Sequence, residues 1–215
     1  MRAVKKSENK GSVSVVDYGV INTHAVCNLL KTLNFKPEVI RSPRQANPEF
    51  KTYILPGVGN YDQGMNSLIE SGFAEYLLEE FQNGARIIGI CLGFQMLGLG
   101  SPEGKEKGLG LINSECYAIN QLDQKEKKVN NGWGRLAGKG SFGSIQGQFY
   151  FTHSYGYSAK LLAEKNDPLS VYKLEGTDIA GGMVTERIAG FQFHPERSHL
   201  HGKKLMRQVF EFWDL

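Results

Sequence analysis

Arg86-Ile87-Ile88-Gly89-Ile90-Cys91-Leu92-Gly93-Phe94-Gln95-Met96-Leu97 runs from a continuous apolar strand straight into a helix. The junction is Gly-x-Cys-x-Gly, the thiol form of the strained strand-to-helix turn known as a nucleophile elbow. Glycines flank the cysteine because a sharp turn crowds the positions on either side, and a missing Cβ relieves the crowding. Cys91 would stand at a helix N-terminus, where free N–H groups and the helix dipole favour thiolate over thiol. The N–H of Leu92 would then point to where an oxyanion develops. Taken alone, the pattern fits equally well an ordinary buried cysteine between glycines that serve only strand–helix packing.

Upstream, residues 12–18 read as a strand turned by Gly19. Residues 22–34 carry apolar side chains at Ala25, Val26, Leu29, Leu30 and Leu33, the spacing of one helix face. Pro37 is expected to stop that helix; a short strand follows at 38–41, and another at 51–55 ends at Pro56. Residues 65–81 have helical periodicity in two pieces broken at Gly72. Strands alternating with helices, the strands apolar on both faces, point to a parallel sheet covered on both sides. Downstream the texture changes. Residues 104–147 suggest strands joined by glycine turns, while 148–155, 170–174, 179–185 and 188–193 read as strands and 202–213 closes as a helix. The expected fold class is α/β, a mostly parallel sheet flanked by helices with an antiparallel β extension. Residues 12–215 are expected to form one domain behind a poorly ordered tail at 1–11.

The chain has 215 residues, which allows one sizeable domain and hardly two. Glycine supplies 26 of them, about 12 % against an average near 7 %, which signals many tight turns or close backbone approaches. The net charge of +3 is small, and the basic residues gather into no arm or stripe, so no nucleic-acid footprint is visible. The run Lys125, Glu126, Lys127, Lys128 carries its own acid and reads as a solvated loop. The three cysteines, Cys27, Cys91 and Cys116, are odd in number and widely spaced. That argues against a disulfide framework or a zinc knuckle and fits a reducing compartment. The longest apolar run, 87–100, is interrupted by Gln95 and glycines and is too short for a membrane span. The apolar stretch 13–16 is too short for a signal sequence. His199 and His201 have no thiol or carboxylate partner at ligand spacing and read as a surface turn, not a metal site. A cytoplasmic protein with no cofactor, no membrane partner and no nucleic acid is expected.

A thiolate nucleophile needs a base and a group that orients the base. His194, in Phe191-Gln192-Phe193-His194-Pro195-Glu196, ends an alternating strand, and Pro195 stops further pairing. The imidazole would face a cleft at the end of the sheet, where Glu196 could hold the ring by a carboxylate hydrogen bond. Without Cys91, the same residues read as a strand-end histidine and a surface glutamate. Leu55-Pro56-Gly57-Val58-Gly59-Asn60 is a glycine-rich turn able to present successive N–H groups to an anion. It lacks the Lys-Ser/Thr of a P-loop and the Gly-x-Gly-x-x-Gly spacing, so beside a nucleophile an oxyanion loop is the better reading.

In order along the chain, Pro-Gly-Val-Gly at 56–59, Gly-Ile-Cys-Leu-Gly-x-Gln at 89–95, His-Ser-Tyr at 153–155 and Gln-Phe-His-Pro-Glu at 192–196 resemble the class I (triad) glutamine amidotransferases. More narrowly, they resemble the glutaminase subunits of imidazole glycerol phosphate synthase. The resemblance runs from about Ser12 to the C-terminus and implies a flavodoxin-like core. It implies an enzyme that hydrolyses L-glutamine to glutamate and passes ammonia to a separate synthase (cyclase) subunit of (β/α)₈ type, forming a heterodimer in histidine biosynthesis.

By matching position, the resemblance makes Cys91 the nucleophile, His194 the general base and acid, and Glu196 the residue orienting the imidazole. It gives the oxyanion to the N–H groups of Val58 and Leu92, and Gly57 and Gly59 to the substrate loop, where they would let the Val58 peptide reorient. Gln95 matches a residue that contacts glutamine, although it also fits a polar position on a partly exposed helix. His153, Ser154 and Tyr155 match the wall on the substrate's α-amino and carboxylate side. Asn22 and Trp133 match positions facing the synthase partner, Trp133 reading equally as a core aromatic. The chain departs from the family pattern at Ile21, at His24 and over 129–134, all on the partner side. Two alternatives therefore stay open: a paralogous glutaminase supplying ammonia for amination of a surface sugar, and a cysteine hydrolase or peptidase on the same scaffold.

Overall fold

The computed structural model describes residues 11–19, 21, 23–123, 130–138 and 147–215. Residues 1–10 of the expected tail, together with Asn22, Val129 and the run 125–128, lie outside these described residues.

Strand β1 (Ser12–Val16) leads into α1 (Thr23–Thr32), which is followed by β2 (Lys36–Ile40) and β3 (Thr52–Gly57). Helix α1 ends before the expected stop, and Pro37 lies inside β2. β2 is the outer strand of the sheet, where a proline can turn its missing N–H away from the ladder. Helices α2 (Tyr61–Glu70) and α3 (Phe73–Gln82) are the two expected pieces, broken at Gly72, whose φ is 77°. α2 starts earlier than its apolar spacing indicates because Asn60 caps it, the side chain accepting from the Gln63 N–H at 3.2 Å. β4 (Arg86–Cys91) then runs directly into α4 (Leu92–Met96). Against expectation β3 continues through Pro56: its pairing with β1 is confined to Tyr53 and Ile54, while it pairs with β4 from Thr52 to Gly57.

Residues 97–116 are mostly turns, so that of the strands joined by turns expected over 104–147 only the turns occupy 104–116. β5 (Tyr117–Ala118), α5 (Ile119–Leu122), β6 (Asn130–Ala137), β7 (Gln148–His153) and β8 (Tyr155–Gly156) follow. The single strand expected over 148–155 is thus two, because β8 leaves the main sheet to pair with β5. Helix α6 (Ala159–Asn166) has no sequence expectation behind it; it buries only Ala159 and Leu162, too few to mark a periodicity. β9 (Ser170–Leu174), β10 (Ala180–Val184) and β11 (Ile188–Phe191) lead to α7 (His199–Phe212), which begins a turn earlier than expected.

Among the described residues the main sheet has nine strands in the order β2-β1-β3-β4-β11-β10-β9-β6-β7. β2 to β11 in that order are parallel, and the rest pair antiparallel, which is the α/β sheet with an antiparallel extension. Successive strand residues face opposite layers. Ile54, Ile88 and Ile90 pack with Val26, Leu30, Leu205 and Phe210 of α1 and α7, whereas Tyr53, Leu55 and Ile87 pack with Met65, Leu68, Leu77 and Phe94 of α2 to α4. Burial of each large apolar side chain contributes about 2 kcal/mol. Two full cores thus clamp β3, β4 and β11 from both faces, and functional residues gather at the carboxyl ends of these strands, the usual ligand edge of such a sheet.

Candidate active site

Register places the site first. Gly57 at the end of β3 sits opposite Cys91 at the end of β4, so the nucleophile candidate and the Pro-Gly-Val-Gly loop emerge side by side. Cys91 holds φ 54° and ψ −112°, a conformation that a residue with a Cβ occupies only when its surroundings impose it. The surroundings are close-packed glycines. A Cβ on Gly89 would stand 2.6 Å from the Phe94 Cα, and one on Gly93 would overlap the Leu55 carbonyl oxygen. The expected elbow is therefore present, and α4 packs on β3 with no room for a side chain between them.

The Cys91 side chain is buried. Its Sγ lies 3.9 Å from the Thr152 carbonyl of β7 and 3.9 Å from the Gln192 amide nitrogen. His194 arrives from the far side, three residues after β11, with its N–H donating to the Tyr150 carbonyl at 2.9 Å. The Ser198 hydroxyl fixes the same turn, donating to the His194 carbonyl at 2.6 Å and accepting from the Tyr150 N–H at 3.0 Å. On the ring, Nδ1 and Glu196 Oε1 are 2.8 Å apart, both side chains being almost fully buried. Nε2 has no oxygen or nitrogen partner and interacts with the Cys91 sulfur. Burial alone would push this imidazole down, but hydrogen bonds and charge from Cys91 and Glu196 outweigh it and raise the pKa to about 10.

A cavity of about 320 Å³ opens in front of these groups. Its lining brings together Val58, Gly59, Cys91, Leu92, Gln95, His153, Ser154, Tyr155 and His194, all singled out in the sequence. Gly57 is not among the lining residues; a Cβ on it would crowd the Gly93 nitrogen at 2.6 Å. Gln95 is buried rather than partly exposed, and its amide nitrogen donates to the Tyr155 carbonyl at 2.8 Å and to Gln192 Oε1 at 3.2 Å. His153 is pushed down to about 4 by burial; the Tyr155 carbonyl opposes this shift and the His194 charge adds to it. As a neutral ring it donates from Nδ1 to the Tyr155 carbonyl at 2.9 Å and accepts on Nε2 from the Asn130 amide at 3.1 Å.

Three residues of the site were not singled out from sequence: Glu103, Gln192 and Thr152, whose carbonyl faces the Cys91 sulfur. Glu103 lines the cavity from the 97–116 loop, its Oε2 accepting from the Tyr61 N–H at 3.2 Å. Burial raises its pKa, and hydrogen bonds from Tyr61 and Asn60 act against that. Its neighbourhood, Ser101-Pro102-Glu103-Gly104, reads as a surface turn, and nothing local announces the cavity. Gln192 lies in the quoted His-Pro-Glu motif but is fully buried against the sulfur. Cys27 and Cys116 are buried, free thiols, both pushed up by burial.

Trp133 lies in neither the core nor the active-site cavity. It is half-exposed, its ring stacked on His199 at 5.4 Å and edge-on to Tyr150 at 5.8 Å. His199 and His201 stand in the first turn of α7, not in a surface turn, and the described residues hold no group of three metal-ligating side chains. No helix among the described residues is long and apolar enough to cross a membrane.

The family profile described as glutamine amidotransferase class-I matches residues 14–212. The imidazole glycerol phosphate synthase subunit HisH 2 of Pseudomonas aeruginosa is 34 % identical over 205 residues, covering 93 % of this chain and 98 % of that protein. The subunit HisH of Leptospira borgpetersenii is 33 % identical, covering 91 % of this chain and 97 % of its own. Among solved structures, a glutamine amidotransferase superposes with a TM-score of 0.74 at 17 % identity, over 94 % of this chain and 99 % of that one. The PurLQS structure from Thermotoga maritima superposes at 0.67 with 19 % identity, over 94 % and 99 %. A buried thiol on an elbow, a carboxylate-held imidazole beside it and a match across nearly the whole sequence converge: the chain belongs to the class I glutamine amidotransferase family.

Proposed function

We propose that the chain is a glutaminase subunit that supplies ammonia to a synthase partner. The observation that carries this reading is the Cys91–His194–Glu196 arrangement facing a cavity sized and lined for a small polar substrate. The Cys91 proton passes to His194 Nε2, and the sulfur attacks the side-chain amide carbon of L-glutamine. The C–S bond forms as the carbonyl pair moves onto oxygen, where the N–H groups of Leu92 and Val58 receive it; each such donor is worth about 3 kcal/mol. Collapse breaks the C–N bond, and His194 Nε2–H protonates the nitrogen as it leaves as ammonia. Water then attacks the thioester, giving its proton to His194, and the C–S bond breaks to release glutamate. Glu196 holds Nδ1–H throughout, so that Nε2 stays aimed at the reacting atoms.

Specificity for a free amino acid follows from the wall. Both amide hydrogens of Gln95 are committed within the protein, which leaves its Oε1 to accept from the substrate. The Glu103 carboxylate supplies negative charge for an α-ammonium, and the 153–155 segment lines the same cavity. The curated relatives bear the name of a synthase subunit, which supports a heterodimer with a cyclase of (β/α)₈ type in histidine biosynthesis.

The test is glutamate release from L-glutamine, with and without the cyclase subunit. Cys91→Ala should abolish release, and the wild-type gene paired with the cyclase should rescue a histidine auxotroph. Release retained by Cys91→Ala would remove the triad. Rescue absent, with activity seen only beside a sugar amidotransferase, would transfer the same chemistry to the other acceptor.

A further inference from the structure

We propose that Gln192 is a positioning residue for the nucleophile, an amide whose N–H holds the Cys91 sulfur and ties it to the substrate wall through Gln95. This rests on the glutaminase reading above. Gln192 is fully buried, two residues before His194, and its backbone N–H is fixed to the Gly181 carbonyl at 3.0 Å. Its side chain can face only one way. Gln95 donates to Gln192 Oε1 at 3.2 Å, which commits that end as the acceptor and leaves Nε2, a donor, against Cys91 Sγ at 3.9 Å. Gly156 confines the amide further, since even a Cβ there would approach Gln192 Oε1 to 3.2 Å.

The chemistry of the sulfur gives this contact its purpose. As a thiol, Sγ–H can donate to the Thr152 carbonyl at 3.9 Å. Once the proton has gone to His194, that carbonyl faces a negative sulfur and only repels it. The Gln192 N–H then remains as a neutral donor, and a hydrogen bond to an ionised acceptor is shorter and about twice as strong as one to its neutral form. The amide therefore favours the charged sulfur over the neutral thiol without competing for the proton. Because Gln95 grips both Gln192 and the Tyr155 carbonyl, the wall and the sulfur form one hydrogen-bonded unit.

Among the described residues, the remaining ionisable groups that face the sulfur or share its cavity are His194 with Glu196 behind it, Tyr18 just after β1, and His153, Tyr155 and Glu103. Substituting Gln192 leaves all of them in place. Gln192→Met removes the donor at similar length, and Gln192→Glu sets a carboxyl oxygen against the sulfur. Alkylation of Cys91 by iodoacetamide, followed on the Cys91 peptide from about pH 5 to about pH 10, reads the nucleophile directly and needs neither glutamine nor a partner.

In both variants the alkylation profile should move up by about one pH unit, a loss of about tenfold in rate near neutrality. In the complex with the cyclase, kcat should fall by about tenfold with KM changed less than about threefold. A profile and kcat unchanged in Gln192→Glu, whose shape is closest to the native side chain, would overturn the proposal, as would a change confined to KM. Failure of the glutaminase reading shows differently, as glutamate release that survives Cys91→Ala.

Discussion

Cys91 and His194 owe their properties to neighbours distant in sequence, and the imidazole makes this measurable. Its pKa stands near 10 in the folded chain against an ordinary 6.5, because the charges of Cys91 and Glu196 hold on the ring the proton that Cys91 gives up. The ring should therefore stay protonated up to about pH 10 in an NMR titration of the wild type and lose its proton at lower pH in Cys91→Ala; equal midpoints in the two proteins would refute the assignment. At this scale the sequence was informative wherever the chemistry is local. Glu196 is two residues from His194, and the elbow is a five-residue pattern, so each was readable in place. Glu103 and Gln192 were not, because a loop and a strand end acquire their role only when folding sets them beside Cys91.

At the scale of elements, the elbow depends on α4 lying directly on β3. Gly93→Ala would drive its Cβ into the Leu55 carbonyl, an overlap with backbone that no rotamer change relieves. The variant should lose about 3 kcal/mol or more in urea unfolding, or fail to accumulate as soluble protein. A loss under about 1 kcal/mol would mean that α4 can lift off the sheet. The alternation of strands and helices in the parallel half was legible because both faces are buried and the apolar runs are long. The Gly72 break was legible because glycine alone punctuates a helical pattern there. Helix α6 was hidden, since it packs through two side chains and is started by a Ser158 cap rather than an apolar stripe. The division of β7 from β8 was hidden too, because β5 draws the second piece away over a long loop.

Across the whole molecule, an apolar surface near the site is shared by the antiparallel extension and the start of α7. Leu200 is 78 % exposed and lies with Trp133 and His199 along one shallow cavity. If this face receives the cyclase, Leu200→Asp should weaken the heterodimer by about tenfold or more in titration calorimetry, with the melting temperature unchanged. Unaltered affinity would place the partner elsewhere. Parallel order could be anticipated from alternation, but the placement of β6 between β9 and β7 could not, since it depends on pairings that no local pattern encodes. The pairing of β4 with β11 has a consequence for synthesis. The nucleophile and the amide that contacts it are 101 residues apart, and β11 separates the parallel from the antiparallel half. Until the last strand leaves the ribosome, β4 is an open, apolar sheet edge without its base or its second neighbour. A chain cut short before Ile188 is thus not a weakened enzyme but an inactive, aggregation-prone one, and the reactive cysteine gains its proton acceptor only when translation is nearly done.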